Sequence, residues 1–154
     1  MAVLEARGFR RQDFAQRHPS GAIGRTLLVR IRDIMRTGAR NPVGHETMSV
    51  RDALLVMTRA KAGSVSVVNA SGRLIGVFTD GDLRRHMAHD EHALDRPLAR
   101  VMTRRPVCLR EDALAAEALQ VFHTCSIDDL IVVNARREPV GLVDSQDLPK
   151  LKLM

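Results

Sequence analysis

The chain has 154 residues, of which 45% are hydrophobic and 3% aromatic, with no Trp or Tyr and only two cysteines. It contains neither a long apolar run nor a signal-peptide pattern, so we expect a cytoplasmic protein of one or two small domains, with reduced thiols and no membrane partner. The formal net charge of +6 belongs to residues 1–40, which hold nine arginines against three carboxylates, while the charges of the remaining residues balance.

The arginine-rich first segment leaves a polyanion interpretation open. Clustered arginines attract phosphate backbones, so residues 7–40 are a candidate surface for nucleic acid. Base stacking uses aromatic side chains, however, and the chain has only four Phe. We therefore expect no sequence-specific nucleic-acid partner and keep a polyanion binder as an alternative function.

In chain order, residues 1–30 are typical of a linker. Phe9 and Phe14 flank a short helical stretch, which Pro19 and Gly21 end. We predict an extended or helical leading segment that precedes the first packed unit.

Residues 31–95 predict one β-α-β-β-α unit. Ser49 followed by Asp52 is the start of a capping box, and apolar residues at helical spacing follow it. The predicted elements after Ser49 are, in order, a helix through Ala60, a strand at 64–68, a turn at 69–72, a strand at 74–78 that ends at Thr79, and a helix that starts at 80–82.

The same pattern returns 65 residues later, because Val65-Ser66-Val67-Val68-Asn69 is matched by Leu130-Ile131-Val132-Val133-Asn134. In residues 96–154 this predicts a helix at 112–123, a strand at 129–133, a turn at 134–138, a strand at 139–143 and a short helix from 144, which Pro149 limits. Neither copy has enough elements to bury its own sheet. We therefore predict an α+β fold in which two repeats, 31–95 and 96–154, pack face to face.

The two copies resemble a tandem pair of cystathionine-β-synthase-type (CBS) motifs. The first carries Asp33-Ile34-Met35 and Gly76-Val77-Phe78-Thr79-Asp80-Gly81-Asp82-Leu83, and the second ends in the degenerate run Gly141-Leu142-Val143-Asp144-Ser145-Gln146-Asp147-Leu148. The resemblance covers residues 31–150. It implies a regulatory unit that binds a nucleotide-type ligand, associates as a homodimer and carries no complete active site.

The candidate ligand site lies where a strand ends at Thr79 and a helix begins. Unpaired N–H groups and the helix dipole favour a phosphate there, and an aspartate three residues on can accept from ribose hydroxyls. By resemblance, Thr79 contacts phosphate and Asp82 contacts ribose, and the full expected set is Gly76, Thr79, Asp80, Asp82 and Arg84. The alternative is that Thr79 and Asp82 only cap the helix.

In the second copy, Asp144 stands where the first copy has Thr79. A carboxylate repels phosphate, so we expect Asp144 and Asp147 to form at most a second, weaker site. No cofactor is expected. His86, His89 and His92 resemble a metal cluster in spacing, but a solvated surface is the favoured interpretation because no closed ligand set is evident.

The leading segment resembles the junction between a sugar-isomerase (SIS) domain and a CBS pair in D-arabinose-5-phosphate isomerases. It carries Glu-Ala-Arg-Gly-Phe at 5–9 and His-Pro-Ser-Gly-Ala-Ile-Gly-Arg at 18–25. In that family the histidine of this junction is associated with catalysis, which implies His18 here, with Ser20 in place of the usual glycine. The SIS domain is absent from this sequence, so we expect the chain not to isomerise sugars unaided.

The sequence therefore predicts the regulatory CBS pair of an arabinose-5-phosphate isomerase in Kdo and lipopolysaccharide synthesis. The expected ligand is a nucleotide or nucleotide sugar, for example a CMP-linked sugar that reports on the end of the pathway. A ligand-free dimerisation module is the main alternative.

Overall fold

The structure, a computed structural model, describes residues 28–149. The first copy comprises β1 (Val43–His45), α1 (Val50–Ala60), β2 (Ser64–Val68), β3 (Leu74–Thr79) and α2 (Asp80–Met87). A connection containing α3 (Leu98–Val101) and β4 (Thr103–Arg104) leads to β5 (Cys108–Arg110), α4 (Ala115–Cys125), β6 (Asp129–Val133), β7 (Pro139–Asp144) and a 3-10 turn (Ser145–Asp147). The α+β fold with two repeats is confirmed.

The two copies have the same strand pairing. In each, the first strand runs parallel to the second and the second pairs antiparallel with the third, giving the orders β1-β2-β3-β4 and β5-β6-β7. Both copies carry a register shift at the same place, between Val67 and Val68 and between Val132 and Val133. The long helices both end in a left-handed residue, Lys61 and Ser126, each with φ of 52°.

Local sequence explains where α1 begins and which face it buries. The Ser49 hydroxyl accepts a hydrogen bond of 3.1 Å from the Asp52 N–H, which satisfies one free donor of the first turn. The apolar residues at helical spacing form the buried face, which comprises Val50, Ala53, Met57 and Ala60.

The predicted helix at 112–123 begins three residues later than expected. Leu114 is held extended by a bridge to Arg30, and its N–H donates to the Glu117 carboxylate at 2.6 Å. The short helix predicted from 144 is a 3-10 turn over Ser145–Asp147. Pro149 has no N–H, so it cannot donate the hydrogen bond to the Ser145 carbonyl that would continue an α-helix from residue 144.

Each packed half is completed by the segment that precedes the other half. Ile31, fully buried, belongs to the core formed with Leu130, Val143 and Leu148 of the second copy. Leu98 and Val101 belong to the core of the first copy, which includes Phe78 and Val65. The two cores therefore do not coincide with the two sequence repeats, because each core includes residues from the start of the other repeat.

The backbone pairing shows the same exchange. Arg36 and Leu142 exchange two backbone hydrogen bonds, of 2.7 and 3.0 Å, while Thr103 pairs with Val77 in the first sheet. A third core cluster, made by both copies, joins the sheets and comprises Leu74, Cys108, Ile131, Val133 and Leu142.

A substitution at Gly141 tests how closely the segment at Met35 and Arg36 packs on β7. A Cβ at this position would overlap the Met35 sulfur and lie 3.1 Å from the Arg36 carbonyl oxygen. We expect Gly141→Ala to lower the free energy of unfolding by about 1–3 kcal/mol, measured by urea denaturation, because the exchanged segment must shift. Gly63→Ala is the control, since its Cβ would meet only ordinary contacts at 3.5 Å or more. Equal effects of the two substitutions would contradict the prediction.

Candidate functional site

A cleft of about 700 Å³ opens between the two copies where β3 ends and α2 begins. Its lining comes mainly from three segments, which are residues 79–85, the connection 103–107 and the loop 126–129. All three segments begin at or close to the end of a strand or helix, and these elements fix their positions. We call the lining residues at the ends of β2, β6 and β7 the floor of the cleft; they are Gly63, Ser64, Asp129 and Asp144. The cleft is large enough for a small organic ligand.

Thr79 and Asp82 form a complete capping box at the start of α2. The Thr79 hydroxyl accepts from the Asp82 N–H at 3.2 Å, and Asp82 Oδ2 accepts from the Thr79 N–H at 2.9 Å. The same carboxylate oxygen accepts from Thr79 Oγ1 at 3.1 Å. The pair therefore stabilises the helix start whether or not a ligand is bound.

The second oxygen of Asp82 connects α2 to its surroundings. Asp82 Oδ1 accepts from Arg85 Nη2 at 2.6 Å and from Thr103 Oγ1 at 2.9 Å, and the Asp82 side chain is only 5% exposed. Arg85 by contrast is 70% exposed, so its bond to Asp82 is open to water. A ligand hydroxyl that reached Asp82 would replace Arg85 or Thr103 as the donor.

One wall of the cleft, formed by α2 and the connection 103–107, is basic. Arg84, Arg85 and Arg105 all line the cleft and all are exposed. Arg105 has φ of 55°, in the left-handed region, whereas the corresponding position before β1 is Gly38 with φ of 58°. A non-glycine residue in this conformation costs about 1 kcal/mol or more, and such strain concentrates at functional sites.

The floor of the cleft is acidic. Asp129 Oδ2 accepts from Ser64 Oγ at 2.7 Å and from the Gly63 N–H at 3.1 Å, which joins the two copies at equivalent positions. Asp144 lies opposite Asp129 in the β6–β7 register. Burial raises the pKa of the Asp129 carboxyl, the Asp144 charge raises it further, and the hydrogen bond from Ser64 opposes both.

Arg36 fills the junction of the second copy that corresponds to Thr79 and Asp82. Its guanidinium donates to Asp147 Oδ2 at 2.6 Å, to Asp144 Oδ2 at 2.9 Å and to the Lys61 carbonyl oxygen at 3.0 Å. The Arg36 side chain is only 8% exposed. The hydrogen bond to Asp147 is the main reason why the pKa of Arg36 is raised.

The structure places four of the five residues expected at the first site, Thr79, Asp80, Asp82 and Arg84, in the cleft lining. Gly76 lies in the middle of β3, where a Cβ would meet the Met102 side chain, so its role is to allow that close packing. His18 lies outside the described residues, as does most of the predicted linker.

Sequence reasoning missed Arg105, Asp129 and Arg36. The repeat carried a signal for two of them, because Arg105 stands where the first copy has Gly38 and Arg36 stands where the second copy has Thr103. Asp129 had no such signal, since its environment depends on contact between the copies.

The histidine cluster does not form one helix face, because α2 ends at Met87 and the more distant His89 and His92 lie in the following turns. Within residues 28–149, no group of three His, Cys, Asp or Glu side chains has a metal-binding arrangement. None of the described helices is long and apolar enough to cross a membrane.

Comparison with known families gives a match to the CBS domain at residues 31–89 and 98–151. Arabinose 5-phosphate isomerase KdsD of Pseudomonas aeruginosa is 40% identical over 154 residues, which are 100% of this chain and 47% of that protein. KdsD of Escherichia coli K12 is 41% identical over 148 residues, which are 96% of this chain and 45% of that protein. The chain thus spans about half the length of the curated relatives it matches.

Solved structures give the same fold. The CBS domain pair of protein MJ0100, in complex with 5′-methylthioadenosine and S-adenosyl-L-methionine, has a TM-score of 0.71 and 22% identity, covering 81% of this chain and 96% of that chain. CBSX2 in complex with AMP has a TM-score of 0.67 and 20% identity, covering 80% of this chain and 96% of that chain.

The half-buried carboxyl of Asp129 predicts a pH dependence of stability. Because its pKa is raised on folding, its contribution to stability is present below the ordinary carboxyl pKa and is lost as pH rises through the folded-state pKa. Asp129→Asn retains an oxygen that can accept from Ser64 and Gly63 but cannot ionise. We expect it to raise the free energy of unfolding at neutral pH and to flatten the pH profile, measured by urea denaturation at several pH values.

Asp128→Asn is the control, because Asp128 is exposed and its neutralisation leaves the half-buried Asp129 carboxyl in place. A lower stability of Asp129→Asn at neutral pH would show that attraction to Arg36 outweighs the cost of burial.

Proposed function

The chain belongs to the CBS domain family, and on this premise we propose that it is the regulatory module of an arabinose-5-phosphate-isomerase-like enzyme and binds a nucleotide in the cleft between its repeats. The observation that carries the proposal is the distribution of charge in the cleft. Three exposed arginines, Arg84, Arg85 and Arg105, line the cleft, while carboxylates and small polar groups line its floor and the loop 126–129.

The basic wall suits a phosphate group. Helix N-termini carry partial positive charge, and guanidinium groups bind phosphate oxygens through paired N–H donors. Arg84 and Arg85 come from α2, whereas Arg105 comes from the connection to the second copy. A phosphate held by both sides would therefore bridge the two halves of the molecule.

The remaining surface suits the nucleoside. Pro106, Val107 and Ile127 offer an apolar surface for a base, and Asp128 and Asp129 offer acceptors for hydroxyl or amino groups. Adenosine-type ligands in the structures of MJ0100 and CBSX2 support a nucleoside in this fold. A nucleotide sugar such as a CMP-linked sugar would let the enzyme respond to the end of its own Kdo and lipopolysaccharide pathway, as the relatives' isomerase activity suggests.

A ligand-free dimerisation module is the second candidate. The observation that favours it is the state of Asp82, whose two oxygens already accept four hydrogen bonds from Thr79, Arg85 and Thr103. Under this alternative the Thr79–Asp82 pair is a helix cap and the cleft binds no nucleotide. Homodimerisation is part of both candidates.

Titration calorimetry with AMP, CMP and a CMP-sugar tests the proposal. We expect Arg105→Gly to weaken binding of the preferred nucleotide roughly 10- to 100-fold, which corresponds to the loss of one charged hydrogen bond of about 1.5–3 kcal/mol. The same substitution removes the left-handed strain and should leave stability unchanged or higher, so weaker binding cannot be attributed to unfolding.

Lys61→Gly is the matched control, because Lys61 also has a left-handed φ of 52° and is not among the residues that line the cleft. It should relieve similar strain and leave nucleotide affinity unchanged. Absence of binding by all three nucleotides to the unaltered chain would favour the dimerisation module.

We also propose that the two CBS repeats alone do not catalyse the isomerisation. We expect the isolated chain to give no turnover of arabinose 5-phosphate in a coupled isomerase assay, because the proton transfer needs a carbohydrate site that the two CBS repeats do not supply. A full-length KdsD serves as the positive control. Turnover by the isolated chain at a rate above the uncatalysed reaction would overturn this part.

A further inference from the structure

The two strand-to-helix junctions of the molecule are related by the repeat but are filled differently. In the first copy, β3 ends at Thr79, the carboxylate of Asp82 follows, and the junction opens on the cleft. In the second copy, β7 ends at Asp144, which borders the same cleft, and Asp147 follows at the position of Asp82. This second junction is occupied by the side chain of Arg36.

Arg36 and Thr103 occupy corresponding positions. Thr103 pairs with Val77 in β3, and its hydroxyl donates to Asp82 Oδ1 at 2.9 Å. Arg36 pairs with Leu142 in β7, and its Nε donates to Asp147 Oδ2 at 2.6 Å. The shared partner position shows that the larger, charged side chain replaces a small hydroxyl.

Each of the three guanidinium nitrogens of Arg36 donates one hydrogen bond. The guanidinium donates to Asp144, to Asp147 and to the Lys61 carbonyl oxygen, and the Arg36 side chain is 8% exposed. The backbone of Arg36 is fixed by two hydrogen bonds to Leu142. Its position is therefore set by the strand pairing, and its departure would remove the cation that pairs with Asp144 beside Asp129.

We propose that Arg36 closes the second junction from within, so that each chain binds one nucleotide, at the Thr79 junction alone. The proposal rests on the proposed function and names Arg36 as the residue that decides how many ligands the pair takes. Asp144 contributes by repelling phosphate and by holding the guanidinium. The carboxylates of the second junction thus pair with a cation of the same chain, Arg36, whereas the arginines near the first junction can bind an anion from solution.

The test is the binding stoichiometry measured by titration calorimetry with CMP and with AMP. We expect the unaltered chain to bind one nucleotide per chain. The double variant Arg36→Thr with Asp144→Thr reproduces at the second junction the hydroxyls that Thr103 and Thr79 supply at the first. We expect it to gain a second, weaker site, because Pro149 stands where the first copy has Arg84.

Removal of the exposed Arg51–Asp95 ion pair, as Arg51→Thr with Asp95→Thr, is the matched control, since it changes the same residue types outside both junctions. It should still bind one nucleotide. Two nucleotides bound by the unaltered chain would overturn the inference and leave the proposed function intact, whereas no binding at all would overturn the proposed function itself. A double variant that is folded by circular dichroism and still binds one nucleotide would overturn the assignment to Arg36.

Discussion

The structure depends on the exchange of leading segments between its two halves. Sheets of four and three strands have too little surface to enclose a core, so each half takes apolar side chains from the segment that precedes the other. Ile31 enters the second core and Leu98 enters the first. Neither half is complete without the other, and the cleft between them is therefore a fixed feature of the fold.

The same exchange determines the chemistry at each junction. The residue that follows each exchanged segment lies directly over the other copy's strand-to-helix turn, as Thr103 does over Asp82 and Arg36 over Asp147. One substitution at that position changes a polar opening into an internal ion pair. A duplicated fold can thus retain its symmetry in the backbone while its two ligand positions differ in charge and access.

The distribution of charge explains how one cleft could bind both the phosphate and the nucleoside of a nucleotide. Arg105 and its neighbours on α2 make one wall basic, while Asp129 and Asp144 would make the floor strongly acidic if Arg36 did not neutralise part of it. The buried cation therefore lowers the electrostatic cost of bringing an anion near the floor. The cost of keeping Asp129 ionised remains, as the raised pKa of its carboxyl shows.

Sequence alone determined the duplication, the α+β class and the helix start at Thr79, because these follow from local propensity and from a repeat offset of 65 residues. It also indicated Thr79, Asp82 and Arg84, whose neighbours along the chain define the junction. Only the tertiary structure showed that Thr103 donates a hydrogen bond to Asp82 and that Arg36 fills the second junction. Those contacts join residues that are distant in sequence, so their partners depend on which segment packs on which sheet, and no local pattern encodes that choice.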